Sequence, residues 1–222
     1  MTVTTVRPGT PAALGRTART EVEIHPLLAE RWSTRAFDAS PLADDEVAAL
    51  LEAARWAPSA MNHQPWRFLV GRTGAAGPDA THAALLEAKA GSNQVWAGRA
   101  PLLVAALARV EEADGTPRTV GPYELGLAVA QLTVQAHALG LHVHQVGGFS
   151  ADAVSAAFDV PSAYRPVVVL AVGRQGDDEH LPDWARERET APRERLALEE
   201  IAFSGSFGTP AVARAAVEEQ VA

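Results

Sequence analysis

The sequence predicts a single β-sheet covered by helices, and three observations lead there. The chain opens with helical stretches and continues with strand-like runs interleaved with helices. Those runs, "WRFLVGR", "PLLVAALARV", "HVHQV" and "PVVVLAVG", are short and mostly apolar, as strands of a packed sheet are. The longest helical run, Tyr123 to Leu141, is apolar nearly all round, which assigns it to the protein's centre or to a subunit interface. At 222 residues the chain suffices for one domain, with or without arms, and for a sizeable core.

The elements follow in order. "PLLAERWS", Pro26 to Ser33, reads as a short helix with proline in its first turn. "STRAFDASPL" breaks it with small and turn-forming residues. "ADDEVAALLEAARWA" is a second helix: Asp44, Asp45 and Glu46 crowd its first turn, where acids suit the dipole. Val47, Leu50, Leu51 and Ala54 give it one buried face, and Pro58 stops it. The strand "WRFLVGR" is followed by the helix "HAALLEAKA", the strand "PLLVAALARV" and a loop, "EEADGTPRTVGP". The long helix comes next, then "HVHQV", the short helix "SADAVSAAF" and "PVVVLAVG". After Asp177 the chain holds Pro-, Arg- and Glu-rich turns and a last helical piece, and nowhere does it repeat itself.

Composition narrows the chemistry. A net charge of -8 argues against a nucleic-acid surface, although a local basic pocket stays possible. With no cysteine there is no disulfide, thiolate nucleophile or Cys-bound zinc. No apolar run reaches the roughly 20 residues of a membrane span. The first twenty residues carry Arg7, Arg16 and Arg19 and no acid. That composition resembles a transit peptide without a secretory core, and a flexible or partner-wrapping tail is the simpler reading. A cytoplasmic protein is the default expectation.

No G-x-S-x-G elbow, P-loop or G-x-G-x-x-G occurs. His142 and His144 share one face of a strand, but no third ligand accompanies them, and a half-exposed strand face is the plainer reading. Any nucleotide must be held by side chains, and candidates exist. "RWSTR" sets Arg31, Ser33 and Arg35 within five residues, and "PRERL" sets Arg193 and Arg195 two apart, projecting to one side of an extended segment. Arginine forks with a hydroxyl suit a phosphate monoester. Taken alone, either cluster reads first as a solvated basic patch. The segment "PSAMNHQPWRF" holds more polar side chains than a connector needs.

Together, "ERWSTRAF", a helix and "APSAMNHQPWRF" resemble the start of the FMN-dependent nitroreductase family. "NQVWAGRAP" resembles that family's Asn followed by an aromatic and a strand. "GLAVAQLTVQAHALGL" followed by "GGF" resembles its central helix and flavin-contacting turn, and "RERLALEEIAF" its C-terminal basic pair. The resemblance runs from about Pro26 to Phe207, and its most specific element is Ser-x-x-Asn-x-Gln-Pro-Trp from Ser59 to Trp66.

The resemblance implies an α+β fold with a helix-covered, mostly antiparallel central sheet, in an intertwined homodimer that binds FMN between subunits. It implies that Arg31, Trp32, Ser33 and Arg35 lie along the cofactor, with Arg35 nearest flavin N1 and the C2 carbonyl, and that Arg193 and Arg195 approach its phosphate. Pro58, Ser59, Ala60, Asn62 and Gln64 would serve the partner's cofactor. Asn93 would bond the polar edge of the ring, and the Gly147–Gly148 backbone would face N5. The implied activity is ping-pong transfer of hydride from NAD(P)H, a transient co-substrate, to a nitroaromatic, quinone or similar small acceptor. An oxygen-using oxidase and a non-catalytic flavin-binding protein remain alternatives. The expected organisation is a tail over 1–22, the FMN-binding domain over 23–208 and an extension over 209–222. Two departures stand out: Gly147 replaces an acid found in many relatives, and "VEEADGTPRTVGP" replaces a helical insertion over the flavin.

Overall fold

A computed structural model describes residues 16–212. The expected tail over 1–15 and the end of the extension, 213–222, lie outside the described residues. The elements are α1 (Pro26–Ala29), α2 (Asp44–Arg55), β1 (Trp66–Gly74), β2 (Gly77–Pro78), α3 (Ala80–Glu87), α4 (Gly91–Ala97), β3 (Leu102–Arg109), α5 (Gly121–Ala138), β4 (His142–Val146), α6 (Ala151–Ala157), β5 (Tyr164–Gly173) and α7 (Asp183–Thr190). The strands form one five-stranded sheet in the order β2-β1-β3-β5-β4, antiparallel at every pairing. The α+β class and the helix-covered antiparallel sheet expected from the resemblance are therefore present.

Helices cover both faces. On one side α2 and α5 pack Leu50, Ala54, Leu125 and Leu132 against Leu102, Val104 and Leu170. On the other, Leu85 of α3, Trp96 of α4 and Val154 of α6 cover Leu103, Ala105 and Ala171. Alternate residues of β3 thus enter opposite cores, which is why that strand reads as an unbroken apolar run. α3 approaches β1 at Gly71, where an added methyl would meet the His82 backbone at 2.3 Å.

Three elements differ from the sequence reading. α1 covers only Pro26–Ala29 of the expected Pro26–Ser33. The Ala29 carbonyl accepts from Ala18 N at 2.8 Å and from Arg193, and the Arg31 carbonyl also accepts from Arg193, so these groups are taken from a continuing helix. The stretch from Gly91 to Ala97, expected only as an approach to a strand, is the helix α4. Glycine, serine and asparagine are weak helix formers, and burial of Trp96 and Ala97 overrides them. The two-residue strand β2 had no sequence signal.

Candidate functional site

The segment after α1 runs beside the sheet edge: Phe37 bridges Gln175 just past β5, and the Thr34 carbonyl lies 2.9 Å from His144 Nδ1 on β4. This brings Arg31, Ser33 and Arg35 alongside β4, where Trp32 meets His142 and Thr34 meets His144. Arg31 Nη1 reaches Ser33 Oγ at 3.5 Å. Arg193 arrives from the C-terminal segment and donates to Ala29 O at 2.9 Å, to Arg31 O at 2.7 Å and to Arg16 O. Burial first, then the neighbouring guanidinium groups, hold Arg31 and Arg193 below the usual arginine range, Arg195 acting on both. Among the described residues none of Arg31, Arg193 and Arg195 forms an ion pair. Such a cluster of unneutralised cations suits an anionic group.

Arg16 belongs to this cluster, although the sequence reading placed it in a tail. Its guanidinium lies 4.2 Å from the Trp32 ring centroid and donates to Arg188 O and Ala191 O. Trp32 itself is buried, edge-on to His142. Glu189 of α7, buried, fixes the segment from the other side. It accepts from Thr34 Oγ1 and Arg35 N, each at 2.8 Å, and lies 3.8 Å from the Arg35 guanidinium. A cavity of about 530 Å³ opens between residues 16–19 and 189–194. It shares Arg16 and Arg193 with the cluster, but Ser33, Asn93 and Gly148 do not line it, so it adjoins the site rather than forming it.

The Gly147–Gly148 turn follows β4 directly. The Gly148 carbonyl accepts from Ala90 N at 3.0 Å and from Asn93 Nδ2 at 3.2 Å. A methyl on Gly148 would sit 2.7 Å from Asn93 Nδ2, so any side chain there would push the Asn93 amide off this carbonyl. The next residue, Phe149, bridges Lys89, and Ser150 N donates to Ala88 O at 2.8 Å. Asn93 and the two glycines, expected to meet around one ligand, do lie together.

His142 and His144 are packed as well. His144 lies 4.4 Å from Trp96, centroid to centroid, and His142 is edge-on to His137 at 5.7 Å. Burial, above all, pushes both histidines down to about 4.

The segment Pro58–Gln64 sits elsewhere, leading into β1. Met61, Asn62 and Gln64 have φ of 49°, 56° and 48°. Left-handed backbone costs a non-glycine residue about 1–2 kcal/mol, least for asparagine, so this loop stores strain. It is tied down at Ser59 Oγ, which accepts from Gln64 N at 3.0 Å, and at Ala60 N, which donates to Glu124 Oε1 at 2.7 Å. Met61, Asn62 and His63 stay exposed. β1 and β4 are separated by β3 and β5, and among the described residues no hydrogen bond joins this loop to the arginine cluster. One chain therefore does not bring the two halves of the expected site together.

Sequence reasoning missed Lys89, Arg118, Glu124 and Glu189, put Arg16 in the tail, and named Trp96 only as the aromatic that follows Asn93. Only Lys89 carried a usable signal: it is the one lysine in a chain otherwise supplied with arginine.

Comparison with known proteins places this architecture. Residues 28–90 and 75–174 match the nitroreductase family. The chain is 40% identical over 149 residues to an uncharacterised 15.4 kDa protein from the ask 5' region of Mycolicibacterium smegmatis, covering 65% of this chain and 99% of that protein. It is 30% identical over 176 residues to a 5,6-dimethylbenzimidazole synthase of Rhodospirillum rubrum, covering 70% of this chain and 83% of the synthase. A crystal structure of an oxidoreductase containing FMN superposes with a TM-score of 0.79 at 35% identity, over 86% of this chain and 96% of that one.

Proposed function

The chain belongs to the nitroreductase family, and from that premise we propose that it is an FMN-dependent oxidoreductase drawing electrons from NAD(P)H. The observation that carries the reading is the cluster of Arg31, Arg193 and Arg195 without counter-ions among the described residues, reached by Arg16 and Ser33, beside the strand β4 that leads into the turn Asn93 buttresses. An anionic tail beside a polar planar ring is what those donors accommodate, and FMN has that shape. When bound, FMN supplies the redox chemistry, taking a hydride equivalent from a reduced nicotinamide and returning two electrons to an acceptor.

The chain's own residues bind and orient. Arg31, Arg193 and Arg195 hold the phosphate with Ser33. Arg35, fixed by Glu189, brings a cation to the ring's pyrimidine edge, where negative charge is favoured. Gly147 and Gly148 offer backbone on the other edge, and Asn93 sets the position of that turn. Trp32 supports the cradle from the core.

The second half of the site comes from a partner copy. Pro58, Ser59, Ala60, Asn62 and Gln64 lie too far across the sheet to serve their own chain's cofactor, which supports a homodimer with composite sites. α5 supports it too: beyond the core face it presents Tyr123, Gly126, Leu127, Ala130 and Val134, exposed or half-buried, as an apolar stripe. The connection between β3 and α5 carries no helix, which leaves the pocket open, and the family resemblance supplies the acceptors, nitroaromatics or quinones, in the slot the nicotinamide leaves. Similarity to a 5,6-dimethylbenzimidazole synthase favours one second reading, a biosynthetic oxidation with oxygen as the oxidant. Anaerobic reaction with NADPH and NADH separates the two: rapid two-electron reduction of bound FMN, followed by turnover of a quinone, supports the first.

A further inference from the structure

The proposed mechanism leaves Lys89 unused, and that residue is unusual on four independent grounds. It is the only lysine of the chain, where every other long basic side chain is an arginine. It is buried, 4% exposed, and its Nζ has no hydrogen-bond partner among the described residues. Its backbone bridges Phe149, so it is built into the turn that follows Gly148. Two further buried donors, Arg35 Nε and Trp96 Nε1, also lack acceptors, and Arg35 and Trp96 stack at 5.8 Å. Of the ten buried side-chain nitrogens without a partner among the described residues, these three gather around His144 of β4, where an acceptor-rich ligand would satisfy them.

We infer that Lys89 is the charge-compensating residue of the cofactor site: its buried amine, on the residue whose backbone bridges Phe149 of the turn after β4, takes up a proton when negative charge arrives and releases it when that charge leaves. The inference rests on FMN being the ligand.

A hydride equivalent brings two electrons and one proton, so each reduction adds one negative charge to the site. One proton from solvent on Lys89 restores neutrality, and it returns to solvent when the two electrons pass to the acceptor. An arginine could not do this, because guanidinium keeps its proton throughout the accessible pH range. Burial alone pushes the Lys89 amine down to about 7, so both its forms are accessible near neutrality. The titratable and charged groups around it are His144 from β4, neutral near pH 7, and Arg35 from the segment after α1; Lys89 and Arg35 both disfavour protonation of His144. Glu189 faces Arg35, and no carboxylate offsets the burial of Lys89 itself.

A single lysine makes the test direct. Protein labelled with 13C at lysine Cε gives one side-chain signal, which is titrated in the FMN-free, FMN-loaded and dithionite-reduced states. The expected result is a titration midpoint near neutrality without FMN, a shift of the signal on FMN binding and a higher midpoint after reduction. Lys89→Met should fold with a higher thermal midpoint in FMN-free form at pH 7, because a buried unpaired amine is removed. The same variant should lower the ratio of reduced to oxidised FMN affinity about tenfold, equivalent to a midpoint potential about 30 mV lower. A protein that binds FMN while the lysine signal ignores both binding and reduction overturns the inference alone. A protein that binds no FMN in any state overturns the functional reading beneath it.

Discussion

Glu124 Oε1 accepts the Ala60 N–H at 2.7 Å, and through this one bond the first turn of α5 holds the strained loop before β1. Glu124 Oε2 meanwhile meets Arg118 Nη2 at 2.8 Å, and Arg118 Nη1 meets Glu112 at 2.7 Å. Burial alone would raise the Glu124 carboxyl; Arg118 and the Ala60 N–H outweigh it and hold the carboxyl below its usual range. Arg118→Met removes the partner and leaves a buried carboxylate, which costs about 3–5 kcal/mol. Urea unfolding of the FMN-free protein should show that loss. A loss under about 1 kcal/mol would mean that Arg118 does not hold Glu124 in place.

The arginines of the cradle should separate binding from folding. Arg195 is exposed and among the described residues its side chain bonds only the Glu194 carbonyl next to it, so Arg195→Ala should weaken FMN binding at least tenfold and leave the thermal midpoint unchanged. Arg193 ties Arg16, Ala29 and Arg31 together, so Arg193→Ala should lose affinity and about 1.5–3 kcal/mol of stability as well. Fluorescence titration with FMN and thermal unfolding of both variants check this pair.

These contrasts mark how far the sequence could be read. α2 was legible because its apolar spacing and acidic first turn are local properties, and β3 because both its faces are buried. α4 was not, because only the burial of Trp96 in a distant core makes Gly91–Ala97 helical. Arg31, Ser33, Arg35 and the Arg193–Arg195 pair could be singled out as candidates because arginines spaced with a hydroxyl suit a phosphate, but it took the family resemblance to choose that reading over a solvated patch. Glu189, Glu124 and Lys89 were not, since their roles depend on partners, or on the lack of them, that only tertiary packing creates.

Acid should destabilise the protein through two histidines. Burial chiefly lowers His142 and His144 from 6.5 to about 4, so the unfolded chain binds more protons between those values. Stability is then complete above about pH 6.5 and falls as pH drops toward about 4, by on the order of 3 kcal/mol per histidine. Urea midpoints measured from pH 7.5 to 4 should trace this decline. His144→Gln should flatten it, and an unchanged slope in that variant would locate the acid sensitivity elsewhere.

The subunit seam should respond to a charge on the outer stripe of α5. Leu132 is 1% exposed and belongs to the chain's own core, so Leu132→Asp would disrupt folding and reveal nothing about assembly. Ala130 is exposed on the same helix. Ala130→Asp should give a folded monomer that has lost FMN, seen together by sedimentation and flavin fluorescence over one dilution series. A folded monomer that keeps stoichiometric FMN would mean that the site is complete within one chain.

The central claim is tested most directly by the visible spectrum of the purified protein under anaerobic titration with NADPH and, separately, NADH. The account predicts a yellow protein whose heat-released chromophore is FMN, bleached by about one equivalent of at least one nicotinamide and recoloured by a quinone. A protein that takes up no FMN, or whose bound FMN stays oxidised with both nicotinamides, would contradict it.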